Sequence, residues 1–473
     1  MRKSVLNIAV LLSVSTSLSA CSLMPDYLRP HAPVAISWSD SASYDAAASL
    51  ALAHNLSWQA FYRDPALRQV VKTVLENNKD LKLAALNIKE ARALYRIERA
   101  DILPAVNANA GASNVKTSDQ SSATGRGATS ESYSANLGIA SYELDLFGRL
   151  SSQNQAALNE YLATEAARSV VQNSLIAESV NAYLQLLANK KLLSLTQQTL
   201  DAQQRTYDIL AQSRDSGIAT GSDVARAQTA VEMARVNLFK YRRLVQQNKN
   251  ALTLLMGVAY SDALIPEAVL ADLVLPDNLN AGIPAQVLTL RPDVRQAEYA
   301  LLARNADIGA ARAAFFPSIS LTGAYGFASD DLSNLFASGA FGAWSFIPQI
   351  TLPIFKAGEN KANLDLSKIR KEQAIVTYEK TVQTAFSEVA DELAARATLT
   401  AQLDAQYRLV EAAQSVYDIS HARYKSGIDS FLNVLDAQRE LYAFEQSAIE
   451  LERSRFSNLV DLYKVLGGGS GGK

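Results

Sequence analysis

Two stretches of the chain carry residue types that could do chemistry, a glycine-rich serine motif and a pair of carboxylates. Residues 468–472, Gly-Gly-Ser-Gly-Gly, match G-x-S-x-G, in which a serine nucleophile stands on a turn between a strand and a helix. No helical pattern follows the motif here, and we expect a flexible tail. Glu143 and Asp145 occupy alternate positions at the end of a candidate strand. An ion pair with Arg149 is a simpler interpretation there than acid–base catalysis.

The composition excludes several other kinds of site. The 473-residue chain has a net charge of −2 and so lacks the basic surface of a nucleic-acid binder. Its histidines, His31, His54 and His421, lie too far apart in sequence to suggest a metal cluster. No phosphate-binding loop and no zinc-ligand spacing is present. We therefore expect no enzyme, no catalytic residue, no cofactor and no metal, and any energy must come from a partner.

The single cysteine, Cys21, follows a candidate export signal. Basic residues 2–3 precede the short apolar stretch 5–18, as in a signal peptide. Residues 18–21, Leu-Ser-Ala-Cys, resemble a bacterial lipobox, which implies cleavage before Cys21, a thioether to diacylglycerol and an acylated amino group. Several acyl chains anchor a protein stably. Ser22 favours the outer membrane, because an aspartate there would resemble an inner-membrane retention signal. The alternative is a plain secretory signal with an incidental cysteine.

Proline and glycine are distributed so unevenly that they predict two very long helices. Residues 149–216 and 359–426 contain neither, and each run would form a helix roughly 100 Å long. Both runs are rich in good helix formers. Shorter runs without glycine or proline follow at 222–256 and 428–466, and two further helix-like runs, 66–103 and 293–316, precede prolines. In pairs they match the length of a long run, so two short helices stacked end to end would run beside each long one.

The chain also repeats itself. Residues 207–209 recur as 417–419 and residues 216–218 as 426–428, an offset of 210 residues. Further matches at this offset are Val224, Ala227, Gln228, Arg243, Asn248, Leu252 and Gly257 with Val434, Ala437, Gln438, Arg453, Asn458, Leu462 and Gly467. Solenoid repeats have periods of about 20–50 residues. The longer period predicts two structural halves with matching turns.

Each half contains two segments in which apolar and polar residues alternate, as in membrane strands. They begin near residues 106 and 133 in the first half and near 318 and 344 in the second. No run of 18 apolar residues predicts a membrane helix, so a membrane span would require a closed β-barrel. Four strands cannot close a barrel, so several copies would have to share one. The alternative is a soluble sheet packed on the helices.

Five motifs, in the same order, resemble those of outer-membrane factors of the TolC/OprM type. They are 142–149 (Tyr-Glu-Leu-Asp-Leu-Phe-Gly-Arg), 291–295 (Arg-Pro-Asp-Val-Arg), 316–319 (Phe-Pro-Ser-Ile), 352–355 (Leu-Pro-Ile-Phe) and 466–469 (Leu-Gly-Gly-Gly). The lipobox is similar to that of the lipidated, OprM-like branch. The resemblance implies a mainly α fold with a membrane β-barrel. A homotrimer would form a twelve-stranded barrel, four strands per protomer, on a long α-helical barrel that crosses the periplasm.

The motifs and the distribution of glycine and proline together divide the chain into segments. We predict a signal peptide at 1–20, a lipidated N-terminal part of an equatorial belt at 21–63, a first repeat at 64–257, an equatorial linker at 258–290, a second repeat at 291–466 and a flexible tail at 467–473. Each repeat would contain helices, two β-strands and one long helical hairpin.

The resemblance places the two hairpin turns at the periplasmic end, where they would form a gate and dock a periplasmic adaptor protein. The candidate adaptor contacts are Ser216, Gly217, Ile218, Ser426, Gly427 and Ile428. Glycine suits a turn that takes positive φ or that a partner approaches closely. The same residues would also serve as simple hairpin turns.

Candidate gate residues lie near the turns. Leu432 and Asp436 are four apart and share a helix face. In a trimer, inward copies would form a hydrophobic ring and a carboxylate ring, which gate pores and select cations. A solvated helix face or a salt bridge is the alternative for Asp436, and Asp223 is a further candidate. Tyr424 matches the tyrosine that locks closed TolC-like tips, but Asp429 replaces the locking arginine, so a closed gate must use different hydrogen bonds.

These inferences predict a passive, gated conduit in the bacterial outer membrane. It would accept drugs and other small toxic compounds from the adaptor and from an inner-membrane pump of the RND type, and release them outside. Two alternatives stay open. The same fold could export proteins or metal ions, although only four methionines and three histidines argue against copper or silver. A lipid-anchored coiled-coil scaffold outside the bilayer is the other.

Overall fold

The structure is a computed structural model of the chain. It describes residues 22–35, 56–121, 126–265, 268–276, 279, 288–337 and 341–469. The predicted signal peptide and Cys21 lie outside these residues. Within the described part of the chain, no helix is both long enough and apolar enough to cross a membrane.

The chain divides into two compact units, and each draws on both halves of the sequence. The sheet unit comprises Met1–Pro30, Asn87–Thr164 and Gln296–Tyr378. The hairpin unit comprises His31–Leu86, Glu165–Arg295 and Glu379–Lys473. The first contains a four-stranded sheet and the second contains two helical turns.

Helices dominate the described residues. They are α1 (Trp58–Phe61), α2 (Pro65–Asn77), α3 (Lys79–Ala100), α4 (Arg149–Asp215), α5 (Gly221–Met256), α6 (Pro292–Ala313), α7 (Glu359–Lys425) and α8 (Phe431–Val465). Helices α4 and α7 have 67 residues each, which confirms the two long helices predicted from the absence of glycine and proline. Each is followed by a turn and a shorter helix, as the repeat predicts.

One predicted helix is divided in two. The prediction of an unbroken run over 66–103 is wrong at Asn78, where α2 ends and α3 begins. The Asn78 side chain accepts hydrogen bonds from the backbone N–H groups of Asp80 (2.8 Å) and Leu81 (3.1 Å) and so caps α3. Its amide nitrogen donates to the carbonyl of Leu255, 2.9 Å away. The side chain thus satisfies the helix end and ties it to α5.

The sheet unit contains a four-stranded antiparallel sheet in chain order. Its strands are β1 (Val106–Lys116), β2 (Thr129–Leu144), β3 (Ser318–Ser329) and β4 (Phe341–Thr351). The predicted four strands are therefore confirmed. The central pairing joins β2 of the first half to β3 of the second, with Tyr142 opposite Leu321.

A bulge interrupts the pairing of β2 with β3. The register shifts between Ile139 and Tyr142, where Ser141 has φ +55°. The Ser141 N–H leaves the regular ladder and donates to the hydroxyl of Thr322 at 3.2 Å. Such a bulge bends the strand and increases its twist.

The two candidate catalytic carboxylates have structural partners at the end of this strand. Glu143 forms a two-point ion pair with Arg149, at 2.7 and 2.8 Å, as the sequence predicts. Asp145 accepts hydrogen bonds from the backbone N–H groups of Leu150 (3.0 Å) and Ser151 (2.7 Å), so it caps the start of α4. Together they fix the entry of the chain into its first long helix.

The core of the hairpin unit packs α1 and α2 against the ends of the helical runs. Phe61 is fully buried and stacks on Tyr463, with ring centroids 4.1 Å apart. The Tyr463 hydroxyl donates to the carbonyl of Leu56 at 2.7 Å. Val180 and Leu462 are also fully buried in this core.

A buried arginine secures the start of α6. The side chain of Arg291 is only 8% exposed and lies 2.7 Å from Asp293 and 2.6 Å from Glu388. It also donates to the carbonyl of Val465 at 2.9 Å. A buried charge is tolerated only when it is paired in this way, so the motif at 291–295 has a structural role.

The C-terminal glycines are packed as far as Gly469. Gly467 donates its N–H to the carbonyl of Lys464 (2.9 Å), and Gly468 donates to Tyr463 (2.8 Å). Residues 466–469 are buried. The first two residues of the predicted flexible tail are therefore held by hydrogen bonds to the last turn of α8, and residues 470–473 lie outside the described part.

Candidate functional site: the hairpin turns and the groove beside them

The first hairpin turn, between α4 and α5, has glycine in the left-handed conformation. Gly217 has φ +73°, a region that side chains disfavour. Its N–H donates to Arg214 O at 2.9 Å, and the N–H of Ile218 donates to Ser213 O at 2.8 Å. This is a Schellman motif, which satisfies the last carbonyls of a helix.

The second turn, between α7 and α8, repeats this geometry. Gly427 has φ +69° and donates to Tyr424 O at 2.9 Å, and Ile428 donates to Arg423 O at 3.0 Å. A Cβ atom added at Gly217 or Gly427 would have no neighbour within 4 Å. The glycines are therefore required by the backbone conformation and not by lack of space.

Each turn exposes an isoleucine. In a Schellman motif the residue after the glycine frequently packs on an apolar residue near the end of the helix, for example three positions before it. Here the residues at those positions are Ser213 and Arg423, and neither is an apolar residue. Ile218 is 82% exposed and Ile428 is 62% exposed. Each turn thus presents a largely exposed apolar side chain.

The turn serines bond to their own helices. Ser216 Oγ donates to Gln212 O at 3.2 Å, and Ser426 Oγ donates to Ala422 O at 3.1 Å. Both residues are exposed. All six predicted docking residues therefore lie on the surface of the turns, in two matching sets of three.

A small apolar cluster holds the two hairpins together just behind the turns. Its buried members are Leu210, Val224, Ala227, Phe431 and Val434. Tyr424 packs on it, with its ring centroid 5.3 Å from that of Phe431. Burial raises the pKa of the Tyr424 phenol, so it stays protonated at neutral pH. In this structure the predicted lock tyrosine is a packing residue at the turn.

The helices after the two turns begin differently. Thr220 and Asp223 form a capping box at the start of α5, in which the Thr220 hydroxyl donates to Asp223 Oδ2 at 2.7 Å and accepts from the Asp223 N–H at 3.2 Å. Ser430 stands at the equivalent place before α8 but makes no side-chain capping bond. Asp223 therefore serves its own helix end.

An ion pair replaces that cap at the second turn. Asp429 accepts from both Arg423 Nε (2.6 Å) and Arg423 Nη2 (3.2 Å). This guanidinium holds the pKa of the Asp429 carboxyl below its usual range. Arg423 is absent from the residues predicted for the gate, although it is the partner of one of them.

Leu432 and Asp436 do share a helix face, and both line a groove formed by α4, α5 and α8. The hairpin groove has a volume of about 540 Å³, and its lining includes Gln203, Arg226, Met233, Leu432, Leu435, Asp436 and Arg439. Asp436 Oδ1 lies 3.0 Å from Arg439 Nη2, so the carboxylate has a salt-bridge partner one turn away. Leu432 is 37% exposed.

Most of the sequence matches a known family. The family model described as outer membrane efflux protein matches residues 70–258 and 283–468. The chain belongs to this family. Its members are channels of the outer membrane, where this efflux protein is therefore located.

Individual relatives cover almost the full chain. The toluene efflux pump outer membrane protein TtgC of Pseudomonas putida is 47% identical over 99% of this chain and 96% of its own. The outer membrane protein OprJ of Pseudomonas aeruginosa is 42% identical over 99% and 97%. The open-state MtrE outer membrane channel of Neisseria gonorrhoeae superposes with a TM-score of 0.85, at 39% identity over 95% of this chain and 99% of that one.

In this outer membrane efflux protein, sequence reasoning missed two arginines near the turns. Arg423 pairs with Asp429 across a turn, and the spacing of six residues is not one that helix geometry favours. Arg226 lies at the position equivalent to Asp436, at the offset of 210 residues, and both line the hairpin groove. The offset could have revealed this second arginine, because it places residues of opposite charge at matching positions of the two hairpins.

Proposed function

We propose that the chain is the outer-membrane duct of a tripartite efflux system for organic solvents and antibiotics. The observation that carries this proposal is the match to TtgC, a toluene efflux pump component, over nearly the whole of both proteins. Relatives named for antibiotic and solvent efflux match over similar lengths. The duct itself is passive, and an inner-membrane pump of the RND type supplies the energy.

Three copies form the duct. Strands β1 and β4 lie at the two edges of the sheet, and every residue of both is exposed. An unpaired strand edge cannot face lipid, because its N–H and C=O groups would lose their hydrogen bonds. Pairing β1 of one copy with β4 of the next removes the edges, and twelve strands in a trimer close a barrel.

A periplasmic adaptor binds the hairpin turns. The support for this is the pair of exposed isoleucines, Ile218 and Ile428, on two turns of the same geometry. Six turns in a trimer would present six such side chains to a partner. Ser216, Gly217, Ser426 and Gly427 complete the docking surface.

The gate lies close to these turns. Leu432 and Asp436 form the constriction, and the Arg423–Asp429 pair and Tyr424 hold the second turn in place around it. Asp223 contributes by capping α5. The apolar cluster behind the turns holds α8 against α5. Movement of α8 relative to α5 would therefore open the passage.

Acyl chains on Cys21 anchor the protein to the outer membrane. The residues that follow are held along α6 within the sheet unit. Arg312 donates to Leu23 O (3.0 Å), Asn305 donates to Pro25 O (2.8 Å), and Arg29 pairs with Glu298 at 2.6 Å. A segment fixed so close to Cys21 leaves the lipid little freedom, which suits an anchor beside the barrel.

A deletion strain tests the proposed function. We expect hypersensitivity to toluene and to several unrelated antibiotics, with resistance restored by the wild-type gene on a plasmid. Unchanged drug sensitivity together with a lost secreted protein, or with sensitivity to metal ions, would indicate that the duct exports proteins or metal ions instead of drugs. Absence of a detergent-stable conducting trimer in the purified protein would support the scaffold alternative.

A further inference from the structure

The hairpin groove has the dimensions of a small-molecule site. Its volume of about 540 Å³ is in the range of ligand pockets. Along α5 it extends from Arg226 to Asn237, and along α8 from Leu432 to Gln446. At 1.5 Å per residue these stretches measure roughly 16 and 21 Å, so the groove fits an elongated molecule.

The middle of the groove is apolar. Met233 is 57% exposed there although it lies in a long helix of the hairpin unit, and Leu432 and Leu435 face the same space. Covering exposed apolar surface of this kind with an apolar body lowers the free energy of the system. Methionine also adapts its shape to different partners.

One end of the groove carries a positive charge without a carboxylate partner. Arg226 makes only a long contact, 3.5 Å, to Ser222 Oγ, and it forms no ion pair with any described residue. Arg439 differs, because it is paired with Asp436 at 3.0 Å. The lining thus has one unmatched guanidinium, which binds carboxylates through two parallel hydrogen bonds.

The floor of the groove holds an unsatisfied acceptor. Gln203 lines it from α4, and its side-chain oxygen is buried with no hydrogen-bond donor among the described residues. Leaving such a group unpaired costs about 1–3 kcal/mol. A hydroxyl group brought to the floor by a bound molecule would pair it after a small rotation of the amide.

From these four features we propose that the hairpin groove binds an anionic amphiphile with a carboxylate head, a rigid or extended apolar body and a hydroxyl group. The carboxylate pairs with Arg226, the body covers Met233 and Leu435, and the hydroxyl donates to Gln203. The inference names a substrate class for the proposed efflux function. Its test is a binding measurement on purified protein, whose result does not depend on drug sensitivity in cells.

A photoreactive probe tests the site directly. The probe is 4-(4-hydroxybenzoyl)benzoate, whose benzophenone ketone inserts into nearby C–H bonds and prefers those beside the methionine sulfur. The full-length trimer in lipid nanodiscs is irradiated with increasing probe, and the adduct is located by peptide mass spectrometry. We expect saturable labelling of Met233, and none of Met256, which is fully buried.

Matched variants distinguish recognition of the carboxylate head group from nonspecific binding of the probe. Arg226→Gln should raise the half-saturating probe concentration about tenfold, the loss expected for one charge-assisted hydrogen bond pair in water. Arg235→Gln is the control, because Arg235 lies on the same helix but pairs with Glu232 outside the groove. Asp436→Asn should instead strengthen labelling, since it removes a negative charge and frees Arg439.

Three results would overturn the proposal. One is equal labelling by the neutral analogue 4-hydroxybenzophenone, which would show that the carboxylate is not recognised. Another is labelling that Arg226→Gln leaves unchanged. The third is an unlabelled Met233 in the trimer, which would show that a second copy covers the groove or that only a protein partner enters it.

Discussion

Arg423 and Asp429 face each other across the second hairpin turn, with Nε 2.6 Å from Oδ2 and Nη2 3.2 Å from Oδ1. The pair spans the left-handed Gly427 and links the end of α7 to the residues before α8. The positions equivalent to the pair in the first turn, at the offset of 210 residues, are Ser213 and Ala219. No such clamp is possible there.

The two turns therefore share a backbone but differ in what stabilises them. The first uses the capping box of Thr220 and Asp223, which acts within one helix. The second uses an ion pair that joins the last turn of α7 to Asp429 in the turn before α8. Breaking the ion pair should loosen one connection between helices, whereas breaking the capping box should affect only the first turn of α5.

Removing the ion pair should loosen the second turn. We expect Asp429→Asn to speed amide hydrogen exchange over residues 426–431 and to raise single-channel conductance, because the turn loses its link to α7. Asp215→Asn is the control, since Asp215, the last residue of α4, pairs with its neighbour Arg214 and forms no ion pair across the first turn with any described residue. Exchange rates that are the same in both variants would contradict a role for the clamp.

The clamp should also depend on pH in one direction. Arg423 lowers the pKa of Asp429 in the folded protein, so the pair stabilises the turn above the unfolded pKa and is lost as pH falls through the folded pKa. The conductance difference between wild type and Asp429→Asn should persist at neutral pH and disappear only in acid, at a pH below the ordinary aspartate pKa of about 4, because the folded pKa is lower still. Equal conductance of wild type and Asp429→Asn at neutral pH, where the pair is fully charged, would show that the clamp charge has no influence on the channel.

The capping box provides a test of local stability with an internal control. Thr220→Ala should destabilise the start of α5 by about 1 kcal/mol, which makes local hydrogen exchange roughly fivefold faster. Ser430→Ala removes the equivalent hydroxyl before α8, where no capping bond exists, and should leave exchange there unchanged. Equal effects of the two changes would mean that the Thr220–Asp223 contact carries no stability.

The sequence alone was sufficient to predict the helices, turns and strands that depend on local rules. Long helices α4 and α7 follow from runs without glycine and proline, because those residues disfavour helix interiors. The turns at Gly217 and Gly427 follow from the internal repeat. The strands follow from alternation, including the segment that begins near residue 106, which pairs with β2 along its whole length.

The same local rules do not predict contacts between residues that lie apart in the sequence. Asn78 is tolerated inside many helices, and its role as a break depends on Leu255, 177 residues away. The hairpin groove arises where three helices from different parts of the chain meet, so no local pattern marks it. The Arg423–Asp429 pair depends on a turn geometry that brings the two side chains together across six residues.

Replacement of the cysteine tests the anchor. Cys21→Ser should abolish incorporation of radiolabelled palmitate, because the thioether and the acylated amino group both require Cys21. The variant should still form the trimer if the strands span the membrane independently of the lipid. Continued palmitate incorporation would contradict the lipoprotein prediction, and Ser22→Ala, which leaves the cysteine in place, is the control.

The salt bridge between Asp436 and Arg439 leads us to expect opposite changes in ion selectivity when one or the other residue is replaced. In a trimer, three copies of Asp436 near the constriction would attract cations, and each Arg439, 3.0 Å away, would offset part of that charge. We therefore expect Asp436→Ala to lower cation selectivity in planar bilayers and Arg439→Ala to raise it. Arg235→Ala is the control, because its i,i+3 pair with Glu232 on α5 lies outside the groove. If neither Asp436→Ala nor Arg439→Ala changed the reversal potential in a salt gradient, the carboxylate would not line the pore, and the constriction would have to be sought elsewhere on the hairpins.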